Sequence, residues 1–188
     1  RYRTLYDGDV HYLDARIGEL LQYLRDRGIY DNTLIIVTAD HGEEFGEHDL
    51  LGHGFGLYNT TLHVPLIVRY PKRFESARRV SRLVSTLDIF PSILDVTGAY
   101  YDGESRLRGQ PLLTSPARRW LIAEKGYPMR WNDGDALRSG HPRLPTLYRR
   151  FKSIQDSEYK FIWAEDGRHE LYQVQMDPDA IPVGQPDV

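Results

Sequence analysis

The sequence predicts an α/β fold in which a mainly parallel sheet is flanked by helices and a small antiparallel sheet lies at the C-terminus. Apolar runs bounded by turn residues indicate sheet strands at residues 34–39, 65–70 and 120–123. Apolar residues spaced three or four apart indicate helices within residues 10–24 and 87–94. Helices that alternate with buried strands along a chain are typical of α/β folds.

The two predicted helices have recognisable ends. The first helix has an apolar face formed by Val10, Leu13, Ile17, Leu20, Leu21 and Leu24. It is followed by Gly28, a residue typical of helix C-termini. The second begins between the capping residues Ser85 and Asp88 and has Pro91 in its first turn. Gly98 marks its expected end.

The sequence divides into three regions, an α/β domain at residues 1–126, an irregular loop at 127–148, and a small antiparallel subdomain with its tail at 149–188. The loop is rich in Gly, Pro, Arg and Asp and shows no period. Alternating apolar and polar residues predict three antiparallel strands in the last region, at residues 150–155, 159–164 and 170–174.

Composition argues against several classes of protein. Of 188 residues, 40% are hydrophobic and 27% are charged, as in ordinary globular domains. The net charge of −3 argues against a general nucleic-acid binder. No apolar run approaches the roughly 20 residues that span a bilayer, and the absence of cysteine excludes disulfides and thiolate zinc sites. We therefore expect neither a nucleic acid nor a membrane as a partner.

The most informative stretch is the strand predicted at residues 34–39, which is expected to be buried on both faces. It leads directly into Asp40 and His41, and His53 lies between two glycines farther along the chain. Ligands of open parallel sheets bind beyond the carboxyl ends of the strands. Carboxylate and imidazole groups are common metal ligands. Asp40 and His41 are therefore candidate metal ligands, and the alternative is that they are surface or capping residues.

Residues 43–58 are predicted to form an active-site loop because they are rich in glycine, histidine and acidic residues and lack a period. Four acidic residues could add metal ligands, although exposed loop acids usually face solvent: Glu43, Glu44, Glu47 and Asp49. His48 and His63 are interpreted as structural residues.

Several short motifs occur in a fixed order around this loop. They are Asp40-His41-Gly42-Glu43, Phe45-Gly46-Glu47-His48, Gly52-His53-Gly54, Leu57-Tyr58 and Val64-Pro65-Leu66-Ile67. Further motifs lie outside the loop. They are Leu5-Tyr6-Asp7-Gly8-Asp9 with Leu13-Asp14, Val84-Ser85-Thr86-Leu87-Asp88-Ile89-Phe90-Pro91-Ser92-Ile93-Leu94, Glu158-Tyr159-Lys160-Phe161 and Glu170-Leu171-Tyr172. In this order they closely resemble the sulfatase family of the alkaline-phosphatase superfamily.

The resemblance implies a metal-dependent hydrolase of sulfate esters with an alkaline-phosphatase-like fold. It implies that Asp40 and His41 bind a divalent metal, which is typically calcium in the family. It also implies a catalytic role for His53, at the family position where a lysine or histidine contacts the sulfate or phosphate. A protonated imidazole there would stabilise charge on the transferring oxygens or on the leaving group.

The family nucleophile is a formylglycine made from cysteine, or a serine, in an N-terminal motif that has no counterpart in this chain. We therefore expect a C-terminal fragment of such an enzyme, inactive alone, with the missing N-terminal half as a partner. We expect both faces of the apolar run at residues 34–37 to be buried. Its exposure would favour self-association through the sheet surface.

Two alternatives stay open. The same superfamily hydrolyses phosphate and phosphonate esters, and a histidine in the ligand pair suits manganese or zinc better than calcium. A non-catalytic binding or interaction module is an alternative of another class.

Overall fold

The computed structural model describes residues 2–74, 77, 79–103, 106–127 and 148–174. The chain forms two compact units, one of residues 1–53 and 60–79 and the other of residues 54–59 and 80–188. The predicted irregular loop, apart from its two end residues, and residues 175–188 of the predicted C-terminal subdomain and tail lie outside the described residues.

The first unit contains one long helix and two pairs of short strands. Helix α1 spans Tyr2–Asp26, and Gly28 follows it with φ 65° while its N–H bonds to the carbonyl of Arg25 at 2.9 Å. This left-handed glycine provides the predicted helix end. The remaining strands and α-helix up to residue 69, in chain order, are β1 (Ile35–Thr38), β2 (Glu44–Phe45), β3 (Leu51–Gly52), α2 (Asn59–Leu62) and β4 (Leu66–Arg69).

The predicted pairing of the two central strands in a parallel sheet is wrong. Strands β1 and β4 are antiparallel, with Ile35 opposite Arg69 and Thr38 opposite Leu66. A parallel return needs a crossover connection, usually through a helix. The connection at residues 39–65, all of it described, contains no helix longer than the four residues of α2. A mainly parallel sheet is therefore not seen in the described part of the chain.

Strand β1 and helix α1 bury less apolar surface than their sequences predict. Three residues of β1 are half-buried and Thr38 is exposed, so the strand is not covered on both faces. Helix α1 has no buried residue, and its large apolar side chains that are exposed include Leu5, Val10, Leu13 and Leu20. In the described structure, the predicted apolar face of α1 is thus largely in contact with solvent.

The second unit contains a four-stranded antiparallel sheet in the order β5–β6–β7–β8. Strands β6 (Phe151–Gln155), β7 (Tyr159–Ala164) and β8 (Glu170–Gln173) confirm the predicted C-terminal sheet. Strand β5 (Leu121–Lys125) pairs with β6, which corrects its placement in a parallel sheet. Its side chains alternate between half-buried and exposed, as expected of a sheet with one covered face.

One face of this sheet contains both apolar and polar buried groups. Phe151 and Ile162 are almost completely buried, and so is Lys160 on the same face. The Lys160 ammonium donates to Asn59 Oδ1 at 2.6 Å, and the hydroxyl of Tyr58 donates to the Glu170 carboxylate at 3.2 Å. Tyr58 and Asn59 are therefore bound to the sheet by polar contacts.

Helix α3 (Ile89–Thr97) follows a single turn of 3-10 helix at Thr86–Asp88. Ser85 and Asp88 form a capping box, and Gly98 ends the helix with φ 66°, as predicted. None of the helices in the described part of the chain combines the length and apolarity needed to cross a bilayer.

Candidate functional site at the end of strand β1

The turn after β1 is fixed by a close approach of two backbone segments. The N–H of Gly42 donates to the carbonyl of Thr61 at 2.8 Å. A Cβ atom on Gly42 would lie 2.0 Å from the carbonyl oxygen of Thr60. No real Cβ tolerates such a contact with backbone, so glycine is needed here for space rather than for a left-handed conformation.

Asp40 and His41 lie in this turn with one atom of each side chain bound locally. The Asp40 Oδ1 atom accepts the N–H of His41 at 3.0 Å, and the His41 Nδ1 atom lies 2.9 Å from the carbonyl of Gly42. Because a carbonyl can only accept, Nδ1 of His41 carries a proton. The second atoms, Asp40 Oδ2 and His41 Nε2, remain available for a ligand.

The distance between these second atoms suits a shared metal ion. Asp40 Oδ2 lies 3.7 Å from His41 Nε2. Two ligands that are each about 2.0–2.2 Å from one ion lie roughly 3.0–3.7 Å apart at common coordination angles. The Asp40 side chain is 89% exposed and that of His41 is 42% exposed, so an ion here has room for further ligands. The donor set therefore fits a divalent cation.

His53 lies beside His41. The two imidazole rings are stacked, with centroids 4.0 Å apart. Gly52 and Gly54 frame His53 with φ values of 89° and 85°, which few other residues adopt. Both glycines occur within the loop predicted to carry the site, and their left-handed backbone turns the chain on either side of His53.

A second partner of His53 is Glu43, whose Oε2 atom lies 3.0 Å from His53 Nδ1. Within the described part of the chain, a group whose potential ligand atoms all lie within 4.8 Å of one another is formed by His41, Glu43 and His53. In the sequence, Glu43 is distinguished from the three other acidic residues of the loop by no metal-ligand pattern. Its position opposite His53 depends on the pairing of β2 with β3, and strands of two residues give little periodic signal.

The neighbouring acids of the loop have other roles. Glu44 does not face solvent, because it is only 2% exposed, accepts from the Thr60 hydroxyl at 2.6 Å, and lies 3.5 Å from His48 Nδ1. Glu47 accepts the N–H of Phe45 at 2.6 Å and forms an ion pair with Arg3. Burial alone would raise the pKa of Glu47, but these partners hold it below its ordinary value. Glu44 and Glu47 therefore bind parts of the first unit to each other.

A family model described as Sulfatase matches residues 1–99. Arylsulfatase K of Canis lupus familiaris is 30% identical over 180 residues, which cover 89% of this chain and 30% of the relative. An N-acetylglucosamine-6-O-sulfatase of Bacteroides thetaiotaomicron is 28% identical and covers 95% of this chain and 31% of the relative.

Solved structures show the same relationship. A phosphonate monoester hydrolase of Agrobacterium radiobacter superposes with a TM-score of 0.67 at 29% identity and covers 90% of this chain and 34% of that protein. The chain thus spans about a third of the length of each of these proteins. Because the family model covers more than half of its residues, the chain belongs to the sulfatase family, within the alkaline-phosphatase superfamily.

Proposed function

We propose that this chain supplies part of the active site of a metal-dependent hydrolase of sulfate esters. Asp40 and His41 would bind the divalent metal, and His53 would contact the ester. The observation that carries the proposal is the 3.7 Å separation of Asp40 Oδ2 and His41 Nε2, with His53 stacked on His41. The sulfatases among the relatives support the choice of a sulfate ester.

The ligand atoms limit the choice of metal. One carboxylate oxygen and one imidazole nitrogen suit manganese or zinc, whereas calcium, typical of the family, prefers oxygen ligands. When bound, the cation would stabilise negative charge on the ester oxygens and activate the nucleophile. That nucleophile, a formylglycine by resemblance, is expected outside these 188 residues, on an N-terminal part of the same protein.

The chain's own residues would orient the groups around the ester. The Gly42 carbonyl holds His41 in the tautomer that leaves Nε2 for the metal, and the N–H of His41 fixes the Asp40 carboxylate. His53 would contribute its Nε2 atom, because Nδ1 is bound to Glu43. A proton on Nε2 could then stabilise charge on the transferring oxygens or on the leaving group.

A phosphonate or phosphate ester is the second candidate substrate. The phosphonate monoester hydrolase from Agrobacterium radiobacter is 29% identical to this chain, which supports it. The carboxylate–imidazole pair and a cationic ester contact serve either ester, since both present charged tetrahedral oxygens.

The test uses the full-length protein that contains these residues, assayed with an aryl sulfate and with an aryl phosphonate monoester. Asp40→Ala and His41→Ala should each lower kcat/KM at least 100-fold, about 3 kcal/mol of transition-state stabilisation. His63→Ala, which removes an exposed histidine of the same unit, is the matched control and should retain activity. Activity retained in His41→Ala would overturn the proposal. The ratio of wild-type activity toward the aryl sulfate to that toward the aryl phosphonate monoester decides which ester is the substrate.

A further inference from the structure

The pairing of β2 with β3 places Glu43 opposite His53. These antiparallel strands pair Glu44 with Gly52 and Phe45 with Leu51. The next pair in the same register is Glu43 with His53, and their side chains meet at 3.0 Å. The N–H of Gly46 donates to the carbonyl of Leu50 at 2.8 Å and closes the hairpin. The contact is therefore set by backbone pairing rather than by a chance meeting of two surface side chains.

The backbone on the Glu43 side of this pair is held on both flanks. Gly42 is bound to the carbonyl of Thr61, and the buried Glu44 accepts from the hydroxyl of Thr60. Glu43 lies between these two contacts. Its carboxylate is only partly exposed, with 26% of the side chain accessible, compared with 43% for His53. The position of Glu43 is consequently ordered by contacts that do not involve the imidazole.

The chemistry of the contact fixes the proton on His53. An ionised carboxylate only accepts hydrogen bonds, so the His53 nitrogen 3.0 Å from Glu43 Oε2 must be a donor. This leaves Nε2 as the second polar atom of the ring. Carboxylates that accept one imidazole N–H in this way set the tautomer and orientation of the ring in other sites.

We propose that Glu43 is a positioning residue for His53, holding the ring with Nδ1 protonated so that Nε2 faces the ester. The inference rests on the proposed function, in which His53 contacts the ester. When the leaving group departs, the bond between sulfur and the ester oxygen breaks and that oxygen keeps the electron pair. The oxygen then takes the Nε2 proton of the doubly protonated His53 ring. The ring is then neutral with its proton on Nδ1, which is the tautomer that Glu43 binds.

The experiment measures the tautomer of the neutral ring directly, on the purified chain with ¹⁵N-labelled histidine. Long-range ¹H–¹⁵N spectra distinguish the two tautomers, and His53→Asn assigns the His53 signals. We expect wild-type His53 with its proton on Nδ1. Glu43→Ala should shift most of the population to the Nε2–H form, the form that free imidazole side chains favour, and Glu43→Gln, whose amide oxygen still accepts, should retain the Nδ1–H form.

Two controls separate positioning from a general loss of structure. His41 is held by the Gly42 carbonyl, so its tautomer should stay unchanged in every Glu43 variant. Glu19→Ala removes an exposed carboxylate of the same unit, on α1 and paired with Arg16, and should leave His53 unaffected. If Glu43→Ala also changes the tautomer of His41, the Glu43→Gln spectrum is the deciding measurement. Loss of the Nδ1–H form of His53 in Glu43→Gln overturns the proposal.

A wild-type His53 protonated on Nε2, or a Glu43→Ala spectrum like wild type, would overturn the role of Glu43. The measurement needs no substrate, so it is independent of the proposed function. If His53→Ala in the full-length protein retained full activity, the proposed contact of His53 with the ester would be wrong. The Glu43–His53 pairing would still hold in that case.

Discussion

The carbonyl oxygen of Thr61 accepts a 2.8 Å hydrogen bond from the N–H of Gly42, directly after the two candidate metal ligands. This contact brings the turn after β1 against α2, so closely that the carbonyl of Thr60 occupies the space of a side chain at Gly42. The geometry of Asp40 and His41 therefore depends on the absence of a side chain one residue later.

Gly42→Ala should destabilise the chain by about 3 kcal/mol, because its Cβ would force two backbone segments apart. The matched control is Gly18→Ala in the middle of α1, where nothing lies within 4 Å of the added Cβ. That change should stabilise the chain by roughly 0.5–1 kcal/mol. Urea denaturation measures both, and equal stability of the two variants would contradict the close approach at Gly42.

The buried Lys160 should make stability depend on pH. Burial lowers its pKa from 10.5 to about 7, so between these values the unfolded chain binds more protons and stability rises with pH. Relative to wild type, Lys160→Met should therefore lose about 4 kcal/mol of stability as the pH rises from 7 to 10.5. Burial also lowers the pKa of Lys125, to about 8. Because Lys125 is present in both wild type and Lys160→Met, its effect on stability cancels in the comparison.

Denaturation of wild type and Lys160→Met across this pH range is the measurement. Lys152→Met removes an exposed lysine of the adjacent strand β6, with 63% of its side chain accessible, and should show a much smaller change. A pH-independent stability difference for Lys160→Met would mean that Lys160 titrates normally in the folded chain.

Elements with a strong local pattern were predictable from sequence. The apolar spacing and terminal glycine predicted α1 and α3, and alternation predicted the three C-terminal strands. Strand direction was not predictable, because an apolar run such as residues 65–70 fits a parallel or an antiparallel neighbour equally well. The direction of β4 depends instead on a connection that lacks a crossover helix.

Only part of the candidate site was predictable, because the sequence identifies residue types but not the register of short strands. The residue types and the resemblance to the family identify Asp40, His41 and His53 as candidates. The structure brings the two histidines together. Glu43 could not be separated from Glu44, which follows it in sequence. Only the register of β2 and β3 shows that the first faces His53 while the second is buried against Thr60.

The exposed apolar side chains of α1 should make the chain self-associate. Leu13 and Leu20 are 56% and 57% exposed on one face of the helix, where burial would be favourable. Sedimentation velocity should show association that increases with concentration. A double change, Leu13→Lys with Leu20→Lys, should abolish it, whereas Gln22→Lys on the same helix should not. A wild-type chain that stays monomeric at every concentration would contradict this prediction.

The chain alone should hydrolyse neither aryl sulfates nor aryl phosphodiesters above background. Covalent catalysis needs a nucleophile, and the one expected from the family has no counterpart in these residues. Asp40 and His41 provide two ligand atoms, and a divalent ion held by two protein ligands exchanges readily with water. Metal affinity should therefore be weak and should fall further in His41→Ala.

The assay adds manganese, calcium or zinc to the purified chain, with calorimetry to follow metal binding. Tight zinc binding that Glu43→Ala abolishes and Asp40→Ala spares would assign the ion to His41, Glu43 and His53, whose ligand atoms lie within 4.8 Å of one another. Turnover that survives repurification and disappears in His41→Ala would contradict the expected inactivity. The nucleophile would then come from this chain, either as one of its side chains or as water activated by the metal.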